Sequence, residues 1–511
     1  MLLNNSSKLN HESFISNLNG TTINENYLLI SLPILLNTCM SFLSVNLFQL
    51  GFGKIKGNLV VNYLMVIIPF ILSITIFSNY LLQITLTVAA TSFLLLSNSL
   101  ILSKSNKYLT EIRLTLHSAS NKRESWLYMS QMRGLILMMT TICILAVDMK
   151  VFPRRFAKTE MFGFGPMDLG VGLFAIIYGL LDQIKVGSFT KLSSIGILLV
   201  LGIMRTVLVK YGNYQEHESE YGTHWNFFLT MAALKLVSII TKYFRFTQRI
   251  FGIITMIMAV SILQYFLLYG SFNLEKFCND NKVDRTKSLL VANKEGLISL
   301  IGYIVLWLTG CLLGAILTRK FRKSLAVFAA LATIGLYISQ CFLHKDIVSR
   351  RAANFGYVLW TTSSFCFCLM LFIISDILIN WLEDRANFVN DTENPDIYCV
   401  VNRQAMAFFL LSNILTGLTN VTIKTMELNK LESITTLVTD FEAGLLDVGP
   451  VPYVPADDCL LEGVGLLVRT ISLQAPFESL NGIGSSGVSN WVRWIGDCNP
   501  PGKDVFDHVR K

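Results

Sequence analysis

"GLILMMTTICILAVD", residues 134–148, runs without a charge to its last residue, Asp148, and "VFPRRFAKTE", residues 151–160, follows two residues later. An apolar run of this kind is a membrane span when it recurs, because about twenty apolar residues cross the hydrocarbon layer. It recurs along the chain from residue 27 to residue 424. In 511 residues, 52% are hydrophobic and 15% charged, against roughly a quarter charged in a soluble globular chain. A large soluble α/β enzyme is excluded, since its apolar stretches break after five to twelve residues or so. The sequence predicts an all-α, polytopic bundle of about twelve transmembrane helices.

The expected spans are 27–50, 58–77, 80–102, 134–149, 168–186, 192–209, 224–241, 250–270, 296–317, 325–343, 357–380 and 405–424. They form one membrane domain over 27–424, between a polar N-terminal segment, 1–26, and a divergent tail, 425–511. The N-terminus is Asn-rich with no basic start and no short apolar core, so a cleaved signal peptide is not expected. No fixed-period repeat is visible. The ten cysteines lack metal-ligand spacing, and no metal is expected from them.

Lysine and arginine orient the bundle. "GKIKG", the 103–133 loop, "KYFRFTQR" and "TRKFRKS" hold the larger share, which places them in the cytosol and the N-terminus in the lumen or exterior. The sequons Asn5-Ser6-Ser7 and Asn19-Gly20-Thr21 would then be accessible to glycosylation. The opposite face carries mixed charges, histidines and amides in "FPRRFAKTE", "YGNYQEHESEYGTHWN", "VANKEG" and "SRRAANFGYVLW". Converging polar loops suit an active site at the membrane surface.

Each charged group has a chemical and a plain reading. Asp148 ends a dry span, where a carboxylate is disfavoured in its charged form and suits a general base. Lys158 would hold it or stabilise an oxyanion; the plain reading is an interfacial ion pair. Arg154 and Arg155 suit phosphate, which a guanidinium grips with two N–H groups; their plain reading is anchoring at the membrane edge. Glu216, Glu220 and His224 share helical spacing. Without a His-Glu-x-x-His signature, that spacing fits a solvated face as well as a metal site. His224 is the second candidate base. Glu160, Asp168, Gln215, Glu216, His217, Asn226, Lys294, Arg350 and Arg351 are further candidate substrate contacts in the same loops. Arg205 lies inside a span and faces either a polar route or the interface.

The segments "DMKVFPRRFAKTEMFGFGPMDLGVGLF", "NYQEHESEYGTHWNFF", "ANKEGLISLIGY", "SRRAANFGYVLW" and "LLSNILTGLTN" resemble, in order and spacing, the fungal GPI-anchored wall transfer proteins. These are PIG-W-type inositol acyltransferases of glycosylphosphatidylinositol biosynthesis. The resemblance covers residues from about 10 to 425. It implies a multi-pass protein of the endoplasmic reticulum membrane with thirteen spans and lumenal active-site loops. The implied reaction moves a fatty acyl chain, usually palmitoyl, from acyl-CoA to the inositol ring of glucosaminyl-phosphatidylinositol. Acyl-CoA is then a co-substrate, no bound cofactor is expected, and the partners are the two lipid-borne substrates and membrane lipids, without nucleic acid. The family motif places its catalytic aspartate and lysine at Asp148 and Lys158.

Two features depart from that pattern. Met149 and Lys150 stand where the family has a phenylalanine and another residue, adding a charge beside Asp148. The final apolar span is missing, since charges and prolines break "ESITTLVTDFEAGLLDVGPVPYVPADD". No helix is expected after Lys424, and the tail is expected to be dispensable for the binding site. A transporter or flippase for a lipid or small solute, gated by Arg205, Lys235 and Asp376, is the alternative from another class, and a scaffold subunit without chemistry is a third.

Overall fold

The computed structural model describes Phe14 and residues 18–446. Breaks fall at 53–54, 56–57, 103–121, 185–191, 212–217, 245, 281, most of 318–341, 345–346, 387–395 and 424. Among the described residues the chain is helical, with no strand beyond isolated bridges from Gly20 and Thr21 to Phe164.

The long helices are α1 (Ile23–Gln49), α2 (Leu59–Ile74), α3 (Leu81–Leu102), α4 (Lys122–Ala146), α5 (Leu169–Ile184) and α6 (Leu192–Tyr211). They continue as α7 (Phe227–Tyr243), α8 (Ile250–Tyr269), α9 (Lys294–Leu317), α10 (Phe355–Arg385), α11 (Ala405–Thr422) and α12 (Lys430–Leu446). Eight described helices are long and apolar enough to cross a membrane, and α2 and α11 are shorter apolar helices. The multi-pass helical fold stands, with eleven of the expected spans coinciding with helices. The expected span 325–343 lies almost wholly outside the described residues. Between α2 and α3 the chain reverses through one short turn at Ser78–Tyr80, the tight hairpin that a polar step between two apolar runs requires.

One prediction is corrected: the chain is helical after Lys424. In α12, Ser433, Leu437, Phe441 and Leu445 are buried. Their spacing of four places them on one face of a helix. Phe441 meets Phe408 of α11 edge-on at 5.6 Å and stacks on Tyr63 of α2 at 6.3 Å. Tyr63 donates its hydroxyl to the Val438 carbonyl at 2.6 Å. The charges that break the apolar run fall off this face: Glu432 and Glu442 are exposed.

Helix pairing follows side-chain size. The most extensive contact joins α5 and α9, where small residues let two backbones approach as in other membrane bundles. A Cβ on Gly179 would lie 1.9 Å from the Trp307 carbonyl oxygen, and one on Gly310 would lie 2.0 Å from that of Ile176. No larger side chain fits either position. The α5–α9 pair is the rigid centre on which the polar loops are mounted.

At the end of the bundle opposite Gln131, Asp376 and Asp396, five segments interlock. Thr21 N–H donates to Phe164 O at 2.7 Å, Glu160 N–H to Leu18 O at 3.0 Å, and Gly163 N–H to Val348 O at 2.9 Å. Thr223 N–H donates to Ala292 O at 2.9 Å, and Asn354 Nδ2 to Glu275 at 2.8 Å. Gly163 adopts φ +138, and a Cβ added there would lie 2.4 Å from Asn19 O, so the position favours glycine. The polar loops therefore converge on one face, as their composition predicts.

Candidate active site

The site is built at the C-terminal end of α4. Beyond Ala146 the backbone tightens, with Asp148 N–H donating to Leu145 O and Met149 N–H to Ala146 O. Met149, Phe152 and Phe156 are buried and pin the loop into the bundle. Arg154 then turns back on it. Its guanidinium donates to the carbonyls of Val147 at 2.9 Å, Met149 at 3.2 Å and Phe152 at 2.9 Å, and lies 4.0 Å from the centre of the Phe14 ring. These are the carbonyls a helix end leaves without partners. Burial pulls Arg154 down to about 10, against the opposing attraction of Asp148.

Asp148 itself is 5% exposed. Asn420 Nδ2, from the last turn of α11, donates to Asp148 Oδ2 at 2.6 Å. Lys150, the extra charge in this loop, is exposed and forms no ion pair among the described residues. Lys158 projects from the far side of the loop and pairs with Glu220 at 2.7 Å; the two side chains are 33% and 26% exposed. The ammonium that the family resemblance pairs with Asp148 thus has a carboxylate from the next loop as its ion-pair partner. Its charge also reaches Asp168.

Behind Lys158 the network becomes buried. Asp168 accepts from Thr159 N–H and Oγ1 at 3.1 and 2.9 Å and from Gly165 N–H at 3.1 Å. Arg350 Nε lies 2.9 Å from Asp168 Oδ1, an ion pair by distance with the N–H not aimed at the oxygen. Burial lowers the Arg350 pKa, but the carboxylates of Asp168 and Glu220 outweigh it and hold the guanidinium firmly charged. Tyr221 lies beneath it at 6.0 Å, and burial pushes the Tyr221 phenol up, out of the titrating range. Tyr357 donates its hydroxyl to the Asp168 carbonyl at 2.8 Å.

Several expected substrate contacts are held by protein partners. Arg155 braces the loop: it donates to Glu25 at 3.1 Å and to Ser78 O at 3.1 Å. Asp168 is closed off by the partners above. Asn226 caps α7, accepting from Phe228 and Leu229 N–H, while its amide donates to Gly202 O at 2.9 Å. Lys294 is buried and donates to the carbonyls of Phe277 and Asp280 at 2.8 and 2.6 Å. Arg351 is 1% exposed and pairs with Glu295 at 2.7 Å, and Arg285 grips the same carboxylate with both terminal nitrogens.

The remaining candidates divide. Arg205 is exposed on α6, close enough to act on Tyr221, and no hydrogen bond or ion pair holds it among the described residues. His224 gives its backbone N–H to Asn293 at 2.8 Å, and its buried Nδ1 has no partner among the described residues. Glu160 is half-buried beside Leu18. Gln215, Glu216 and His217 lie outside the described residues. Asp376, a gate in the transporter reading, accepts from Gln131, which also donates to Asp396. It staples the other end of the bundle.

Sequence reasoning missed Asn420 and the pairing of Glu220. Asn420 ends "LLSNILTGLTN", and an asparagine closing an apolar run is the signal available. Glu220 stood out only as one acid among several.

The GWT1 family profile matches residues 7–441. The GPI-anchored wall transfer protein 1 of Candida albicans is 29% identical over 475 residues, covering 81% of this chain and 91% of that protein. Its counterpart in Kluyveromyces lactis is 34% identical over 311 residues, 58% of this chain and 66% of that one. The glucosaminyl-phosphatidylinositol-acyltransferase PIGW of Homo sapiens is 30% identical over 488 residues, 82% of this chain and 93% of that protein. With the match running from the N-terminal segment into α12, this protein belongs to the GWT1 family.

Proposed function

We infer that this chain is an acyltransferase that acylates the inositol ring of glucosaminyl-phosphatidylinositol during GPI-anchor biosynthesis; two of its relatives are named glucosaminyl-phosphatidylinositol-acyltransferases. The observation that carries the site is Asp148. It is a carboxylate buried at a helix end and held by an amide, in the same loop as the half-exposed ammonium of Lys158. We read the acyl donor as acyl-CoA, with a palmitoyl chain, and the compartment as the endoplasmic reticulum. The multi-pass bundle and the lipid acceptor support a membrane-embedded reaction.

In this reading Asp148 takes the proton of an inositol hydroxyl. The hydroxyl oxygen attacks the thioester carbonyl, and Lys158 steadies the negative charge that develops on the carbonyl oxygen. The new C–O bond forms, the C–S bond breaks, and the CoA thiolate leaves with the proton held on Asp148. Positioning does much of the rest, since aligned reactants gain several kcal/mol or more over free ones. Glu220 sets the direction of Lys158, and Arg154 fixes the backbone that presents Asp148. With Arg154, Arg155 and Arg351 committed to the protein, Arg205 is the cation best placed for the acceptor's phosphate. Purified protein incubated with labelled palmitoyl-CoA and glucosaminyl-phosphatidylinositol should yield acylated lipid. Absence of product from folded protein that binds both substrates would refute the reading.

A further inference from the structure

Asp148 has a partner from a distant part of the chain. Asn420 Nδ2 meets its Oδ2 at 2.6 Å across a sequence separation of 272 residues. The adjoining residue, Thr419, donates its hydroxyl to Asp440 Oδ1 of α12 at 3.3 Å. Asn420 thus stands between the carboxylate and the C-terminal helix. α12 is seated firmly: Leu437 and Phe441 are buried, Phe441 packs on Phe408 of α11, and Tyr63 binds the Val438 carbonyl. Gly444 brings the same face within 3.2 Å of Ser412 Oγ, measured from an added Cβ.

We propose that Asn420 is a positioning residue for Asp148, and that α12 holds Asn420 in place through α11. The inference rests on the reading of Asp148 as the general base. A carboxylate at the end of a helix rotates about its last side-chain bond unless a donor fixes one oxygen. An amide N–H at 2.6 Å does so, and its donation also favours the charged form that accepts a proton. Composition marks the segment after Lys424 as a tail, but packing makes its first helix part of the catalytic support.

The test uses full-length protein and reads kcat against pH, KM for both substrates, and thermal stability. Asn420→Ala removes the donor and should lower kcat about tenfold or more, the worth of a hydrogen bond to a charged group, with both KM values unchanged. Asn420→Asp keeps the shape and sets a second carboxylate against Asp148. Like charges at that distance disfavour ionisation, so the acid limb of its kcat profile should move to higher pH. Thr419→Val removes the hydrogen bond that joins the residue beside Asn420 to α12 and should cost a few-fold in kcat. In the Asn420→Ala background it should cost nothing further, because it acts through Asn420. Asp148→Asn is the reference. If that variant is inactive while both Asn420 variants keep normal kcat and pH profile, the positioning role is overturned and Asp148 stands. A loss of kcat that tracks loss of folded protein with an unmoved pH profile also overturns it. Thr419→Val costing equally in both backgrounds overturns the α12 link. Near-normal turnover in Asp148→Asn overturns this inference together with the reading beneath it.

Discussion

Two charge clusters sit on the same face of the bundle and differ in how they meet water. Around Glu295, Arg285 and Arg351 share one carboxylate that is fully buried, and the Arg351 side chain is 1% exposed. Around Glu220, Lys158 pairs with the carboxylate at the same 2.7 Å, but a quarter to a third of each side chain remains open. A closed pair is bound by desolvation: both charges are trapped once neither can return to water. An open pair can exchange partners at little cost, which a group that must meet a substrate requires. The first cluster fixes the loops; in the proposed reading, the second leaves the Lys158 ammonium open to substrate.

Breaking the open side should give the largest effect. Asp148→Asn and Lys158→Met should each lower kcat by roughly 10²–10⁴-fold, and the double variant little further, since residues acting as a unit are non-additive. Turnover is to be measured on protein shown to bind acyl-CoA and to melt normally. Fully additive losses would separate the two residues into independent roles.

The closed side should respond in stability instead. Glu295→Gln leaves Arg285 and Arg351 facing a neutral amide, and a broken buried pair costs about 3–5 kcal/mol. A lowered melting temperature with normal turnover per folded molecule is expected. A variant that melts normally but turns over slowly would move Glu295 into the active site and erase the contrast between the clusters.

A smaller effect is expected at Arg205, the exposed cation on α6. Arg205→Ala should raise KM for the lipid acceptor several-fold, leaving kcat and the melting temperature unchanged, because its guanidinium makes no hydrogen bond or ion pair among the described residues. A change confined to acyl-CoA would assign the contact to the other substrate.

The contrast also explains what could be read from composition. The apolar runs made the bundle legible, because span length is a property of one segment and the membrane. Polar loops converging on one face were legible too, since charge marks them. What composition could not rank is which charges are already taken. Arg154 and Arg155 are adjacent and chemically alike, yet one caps the end of α4 and the other reaches Glu25, a partner in α1. Partnership is set by tertiary contact, which leaves no local trace. α12 escaped for a different reason. A continuous-hydropathy rule discards a helix whose apolar residues recur every fourth position, and Leu437, Phe441 and Leu445 do so. Asn420 shows only as an amide closing an apolar run, and its contact with Asp148 spans 272 residues of sequence.

Arg155 gives the finest discrimination and the smallest expected change. Its residue type and neighbours assign it to phosphate, and that assignment predicts that Arg155→Lys raises KM for an anionic substrate because the two-pronged grip is lost. The structure spends that grip on Glu25, whose carboxylate accepts from Nε at 3.1 and 3.2 Å, and on the Ser78 carbonyl at 3.1 Å. Lysine keeps the charge but cannot hold both partners, so the loop should loosen against α1 and the α2–α3 turn. With the Arg155 side chain 33% exposed and Glu25 21% exposed, solvent screens the pair, and the expected loss is about 0.5–1 kcal/mol. Both KM values should stay as they were. A raised KM for the lipid with an unchanged melting temperature would instead mean that Arg155 releases Glu25 when substrate arrives, and would place it with Lys158 on the open side.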